Sequence, residues 1–186
     1  MKSFLDNFSK DSLTPEELQK LKSKIRTKKV AKGEILLRKG EKSGSSYFVR
    51  SGLLRSYTID EKGKEHIFMF APEGWVIGDI GLQVNTKTSD LFVDAIESSE
   101  IEVIDLDVFL RTDLPSEVSI TKRDRRIYVL QKRIIMLMSA PLQDRYIDFI
   151  ETYPDIVQRV PQKMIASYLG VTPEALSKIR GELSKK

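Results

Sequence analysis

Four positions near the end of the chain are spaced to act together. Glu174, Ser177, Lys178 and Gly181 recur three and four residues apart, which puts them on one face of a helix. A lysine on such a face can donate to the O6 and N7 acceptors of guanine, and a glutamate can accept from the N4 amine of cytosine. Ser177 suits either a base edge or a phosphate. Leu176, Ile179 and Leu183 form the opposite, apolar stripe. One side of the helix can therefore be buried while the other enters a groove. The expected base-edge contacts are Glu174, Ser177 and Lys178. Gln162, Ser167, Arg159 and Arg180 are the expected phosphate contacts, which position a protein without specifying sequence.

The elements around this stripe are closely specified. In "QKMIASYLGVTPEALSKIR" a first helix is expected from Pro161 or Gln162 to Leu169, with Ile165 and Leu169 on one face. Ala166 leaves room for a second helix to cross closely. Gly170 supplies a left-handed turn residue, so the chain can reverse sharply. Thr172 caps the second helix, Pro173 stands in its first turn, and Val171 and Leu176 occupy staple positions. Together these positions have the spacing of a helix-turn-helix.

Upstream, the pattern changes twice. "LTPEELQKLKSKI" reads as a helix with a capping box at Thr14 and Glu17. From Val30 to Asp105 short strands alternate with glycine turns: Glu34 to Leu37, Tyr47 to Arg50, Leu53 to Ile59, His66 to Phe70, Leu91 to Ala95 and Ile101 to Leu106. That rhythm indicates an antiparallel barrel or jelly roll. In "EVSITKRDRRIYVLQKRIIMLMSAP", Ile120, Ile127 and Ile134 lie seven apart, with Leu130 and Leu137 between them. This heptad stripe of a long helix stops at Pro141 and is expected to pair with its own copy in a second subunit. A further helix covers "LQDRYIDFIETY", and "PDIVQRVPQ" reads as a connector.

Charge follows the same division. Up to Ser116 there are 18 Lys+Arg against 19 Asp+Glu, and from Glu117 onward 13 against 8. A basic C-terminal part suits a polyanion. The chain has no cysteine, which excludes disulfides, thiolate zinc sites and iron–sulfur clusters and fits a cytoplasmic location. Its one histidine, His66, sits on an expected strand as a sheet residue and cannot supply the several ligands a metal-dependent β-roll enzyme needs. Neither a nucleophile elbow nor a phosphate-binding glycine loop is present, so no catalysis, cofactor or metal is expected. Nothing resembles a signal peptide or a membrane span.

The order of β-roll, long helix and helix-turn-helix resembles the Crp–Fnr family of bacterial transcription factors, and "QRVPQKMIASYLGVTPEALSKIR" looks like its Bacteroidetes branch. The resemblance implies an α+β fold. Residues 1–116 would form a cyclic-nucleotide-binding-like β-roll of the double-stranded β-helix type. Residues 117–140 would be the dimerisation helix, and residues 141–186 the DNA-binding domain. It further implies a homodimer on double-stranded, roughly palindromic DNA, with RNA polymerase a candidate further partner. Family members usually add a β-hairpin wing, but only Ser184, Lys185 and Lys186 follow Leu183, so none is expected here.

The effector pocket departs from the family pattern. A cyclic-nucleotide cassette carries Gly-Glu and, further on, an Arg-Ser or Arg-Thr pair. Gly78, Gly81 and Leu82 are present, but Asp79 replaces the glutamate, and Ser89 and Asp90 stand where Arg-Ser would. A missing guanidinium and an added acid argue against cyclic AMP, leaving another small-molecule effector or none. The rival reading is a ligand- or protein-binding β-roll module whose helical end makes protein contacts. The polar character of the Glu174 stripe counts against it.

Overall fold

The computed structural model describes residues 3–7, 14–42, 45–79, 88–105, 128 and 130–184. The chain divides into two compact units. Unit 1 comprises Met1–Thr58 and Phe68–Thr121, and unit 2 comprises Ile59–Ile67 and Lys122–Lys186.

Among the described residues, unit 1 is built on α1 (Pro15–Lys22) and eight strands, apart from Ile59 and residues 65–67, strand residues that fall in unit 2. Thr14 accepts from the Glu17 amide at 3.3 Å while the Glu17 carboxylate accepts from the Thr14 amide at 2.7 Å, closing the expected capping box. The strands are β1 (Ile25–Val30), β2 (Ile35–Leu37), β3 (Ser45–Ser51), β4 (Leu54–Ile59), β5 (Glu65–Ala71), β6 (Val76–Ile77), β7 (Phe92–Ala95) and β8 (Ser99–Asp105). They form two four-stranded sheets in the orders β1-β8-β3-β6 and β2-β7-β4-β5, an antiparallel jelly-roll arrangement. Val30, Leu37, Val49, Leu54, Ile77, Val93, Ala95 and Ile101 make the core. Gly78 follows β6 where a Cβ would stand 2.6 Å from Ser46 Oγ, so close backbone approach is a sufficient reason for glycine there.

Two strands were not anticipated. Ile25 closes the stretch expected to be helical and Val30 opens the expected strand region, yet Ile25 to Val30 form the edge strand β1. Its middle residues Arg26, Thr27, Lys28 and Lys29 are all exposed, so no alternation marks it, and its charges discourage edge-to-edge pairing. β6 is only two residues long.

Unit 2 contains helix α2 (residues 130–139), α3 (Leu142–Thr152), α4 (Ile156–Arg159), α5 (Gln162–Leu169) and α6 (Pro173–Leu183). α4 is one turn inside the expected connector. Tyr146, Phe149, Tyr153, Ile156, Ile165, Leu169 and Leu176 are buried in this unit. In the same unit, the Phe149, Tyr153 and half-buried Tyr168 rings lie 5.3 to 5.7 Å apart in tilted and edge-on pairs. The β4–β5 turn belongs to this unit. Asp60 accepts from the Lys62 and Lys64 amides at 2.9 and 3.0 Å and contacts His66 Nε2 at 2.8 Å. The His66 hydrogen bond, then that of Lys64, holds the Asp60 carboxyl below its ordinary range.

Candidate functional site

The helix pair forms by local rules. Gly170 adopts φ +70°, and its N–H caps the carbonyls of Ala166 and Ser167 while the Val171 amide returns to Ala166 at 3.0 Å. Thr172 caps α6 by accepting from the Ala175 amide at 3.3 Å. α3 packs against both α5 and α6. Leu176 is fully buried and Ile179 and Leu183 are half-buried, whereas Glu174, Ser177, Lys178 and Gly181 are exposed.

The exposed stripe converges with the start of α5. Gln162, Pro173, Glu174, Ser177, Lys178, Gly181 and Glu182 line an open concavity of about 710 Å³. A Cβ at Gly181 would meet nothing within 4 Å, so packing does not demand glycine there, and its absence leaves the floor open. Glu174 is held below the ordinary carboxylate range by hydrogen bonds to its own amide and to Thr172, so it is a pure acceptor. Glu182 was not anticipated, although its place four residues after Lys178 was legible as the same helical face. Lys178 thus stands between two acids, Glu174 and Glu182, one turn away on either side.

The expected phosphate contacts divide. Gln162 lies on the rim of the concavity, while Arg180 and Arg159 are half-buried and do not line it. Ser167 is committed elsewhere, which corrects the expectation. Its Oγ accepts from the Ile67 amide at 3.0 Å and donates to the Glu65 carbonyl at 2.8 Å. Two arginines, of which sequence reasoning missed Arg133, close the C-terminal end of α5. Arg133 Nη2 donates to the Tyr168 carbonyl at 3.1 Å and Arg145 Nη1 to that of Leu169 at 2.8 Å.

In the β-roll, the expected effector residues bond to one another. Asp79 Oδ2 accepts from Ser89 Oγ at 2.7 Å and from the Asp90 amide at 2.9 Å, and Asp79 and Ser89 are both buried. The Ser89 amide and carbonyl pair with Glu41 and Gly40. Gly81 and Leu82 lie outside the described residues. Of the seam residues, Ile120 and Ile127 also lie outside them. Leu130 is half-buried, and Ile134 and Leu137 are exposed, alongside Ile135 and Met138, which is 82% exposed.

Comparison with known proteins agrees with this architecture. Residues 27–112 match the cyclic nucleotide-binding domain. The chain is 28% identical to electron transport regulator A of Shewanella oneidensis, over 94% of its own length and 75% of that protein's. It is 29% identical to the fumarate and nitrate reduction regulatory protein of Yersinia pestis, with the same coverage of each. Its fold is similar to that of FixK2 from Bradyrhizobium japonicum, with a TM-score of 0.71 at 17% identity over 87% of this chain and 85% of that one. Helix-turn-helix, jelly roll and relatives converge: over nearly its whole length the chain is similar to transcription regulators of the Crp–Fnr type, and residues 27–112 match the domain that such proteins carry.

Proposed function

We propose that this regulator acts in the cytoplasm as a homodimer that binds double-stranded DNA sequence-specifically, reading each half-site with Glu174, Ser177 and Lys178. One observation carries the reading: these side chains stay exposed around one concavity while Leu176, on the same helix, is fully buried behind them. A polar, open face backed by a packed one suits a groove lined with hydrogen-bonding edges. Gln162 and Arg180 are the phosphate contacts retained, and Arg159 is a further one. Selection of binding sites from random duplex DNA tests the proposal, and enrichment of a two-fold motif is the expected result. Lys178→Ala should then lose about 1–3 kcal/mol on the selected duplex while non-specific binding at the same salt stays nearly unchanged. Equal losses on selected and random duplex would refute its reading role.

The β-roll of the proposed regulator does not take cyclic AMP. A cyclic phosphate needs donors and a cation. Here the hydroxyl of Ser89 and the amide of Asp90 are already satisfied by an internal carboxylate. A phosphate would have to displace Asp79 and then lie beside its charge. With a dissociation constant of 1 mM or weaker, cyclic AMP at about 100 μM stabilises the fold by less than about 0.1 kcal/mol, which is invisible in thermal unfolding. A clear rise in Tm would overturn this pocket assignment.

A further inference from the structure

The β4–β5 turn, Ile59–Ile67, does more than reverse the chain. It presents two backbone groups to α5, and one side chain satisfies both: the Ser167 hydroxyl takes the Ile67 N–H at 3.0 Å and gives its proton to the Glu65 carbonyl at 2.8 Å. A helix side chain here stands in for a neighbouring strand. Arg133 of α2 closes the arrangement from the other side. Its Nη2 donates to the Ile67 carbonyl at 3.0 Å and to the Tyr168 carbonyl at 3.1 Å, and its guanidinium lies 4.0 Å from the centre of the Tyr168 ring. Burial pushes the Arg133 pKa down, the mark of a charge taken out of water for the sake of this position. The turn is itself preorganised through Asp60, which holds the Lys62 and Lys64 amides and His66.

We propose that this turn is a latch, and that Ser167 and Arg133 are positioning residues that set the angle of the reading helices on α2 and hence the spacing of the two DNA half-sites. The proposal rests on the DNA-reading function above and adds a determinant of operator geometry to it. Two observations separate positioning from blocking. The latch engages Ser167 and Tyr168, while Gln162, Glu174, Ser177, Lys178 and Gly181 all remain exposed. Arg133 also adjoins Ile134, which is 57% exposed on the helix expected to meet the second subunit. Two such heads gain from simultaneous engagement only where their separation matches the site.

The test uses the full chain and two variants, Ser167→Ala and Ser167→Ala combined with Arg133→Lys. Hydrogen exchange at the Ile67 amide should accelerate in both, because its acceptor is removed. In selection from random duplexes, the parent should enrich one spacer length between half-sites and the double variant two or more. Affinity for the parent's best two-site duplex should fall about tenfold, with single half-site affinity unchanged. Unaccelerated exchange at Ile67, or a single unaltered spacer with unaltered affinity, overturns the latch. Should the double variant unfold, Ser167→Ala alone decides by the same readouts. A parent that enriches no motif overturns the DNA reading, and the positioning role falls with it. A parent that does, beside a variant keeping its spacer, overturns the latch alone.

Discussion

Ile134→Glu is expected to convert the protein to monomers without unfolding it. Ile134 is 57% exposed, with Ile135, Leu137 and Met138 also exposed on the same helix. So much apolar surface on one element needs a partner, and the seven-residue spacing that includes Ile134 suits a second copy of the helix. A glutamate in that seam must desolvate its charge opposite its own image, at a cost of several kcal/mol. The dimer dissociation constant should therefore rise by at least about 100-fold, a loss of about 2.7 kcal/mol of affinity. Folding stability of the single chain should hardly change, because an already exposed side chain is replaced. Sedimentation and thermal unfolding separate the two effects. An unchanged mass in solution would place the seam elsewhere.

Arg55→Ala should cause the largest loss of fold stability. Arg55 on β4 faces Asp94 on β7 across the sheet, with Nε to Oδ1 at 2.8 Å and Nη2 to Oδ2 at 3.0 Å, and both residues are buried. The guanidinium also lies 4.2 Å from the centre of the Tyr57 ring, which stacks on Phe92. Such a pair gains little over apolar residues, since desolvation offsets its attraction. Removing one member strands the other charge, at about 3–5 kcal/mol. That is a large part of the about 5–15 kcal/mol that holds a domain together. It should lower Tm by roughly 6–20 °C. Replacing both residues with leucine should recover most of the loss, because no charge is then left unpaired. A cost under about 1 kcal/mol for Arg55→Ala would mean that water reaches Asp94 in the folded protein.

Several features could be read directly because their causes lie within a few residues. The Thr14–Glu17 box, the left-handed Gly170 and the Thr172 cap are each a side chain or φ angle acting on its own turn. The exposed and buried stripes of α6 follow from helical spacing alone. β1 was illegible for an equally local reason: an exposed edge strand with four polar residues in succession carries no alternation. The one-turn α4 and the two-residue β6 are too short to show any period.

Sequence by itself determined that this protein carries a β-roll followed by a helix-turn-helix with a polar outward stripe, and that Ser89 and Asp90 stand where a cyclic-nucleotide cassette would have Arg-Ser. Only the tertiary structure decided how Ser167, Arg133 and Asp79 are used. Ser167 looked available for phosphate until the fold brought it to the Ile67 amide, 100 residues away. Arg133 takes its place only by meeting the Ile67 carbonyl, 66 residues away. Asp79 looked like a defect until Ser89 and the Asp90 amide satisfied it. Caps and helical faces act over single turns and leave spacing behind in the chain. Hydrogen bonds across long loops depend on how the whole chain closes, and closure leaves no periodic trace.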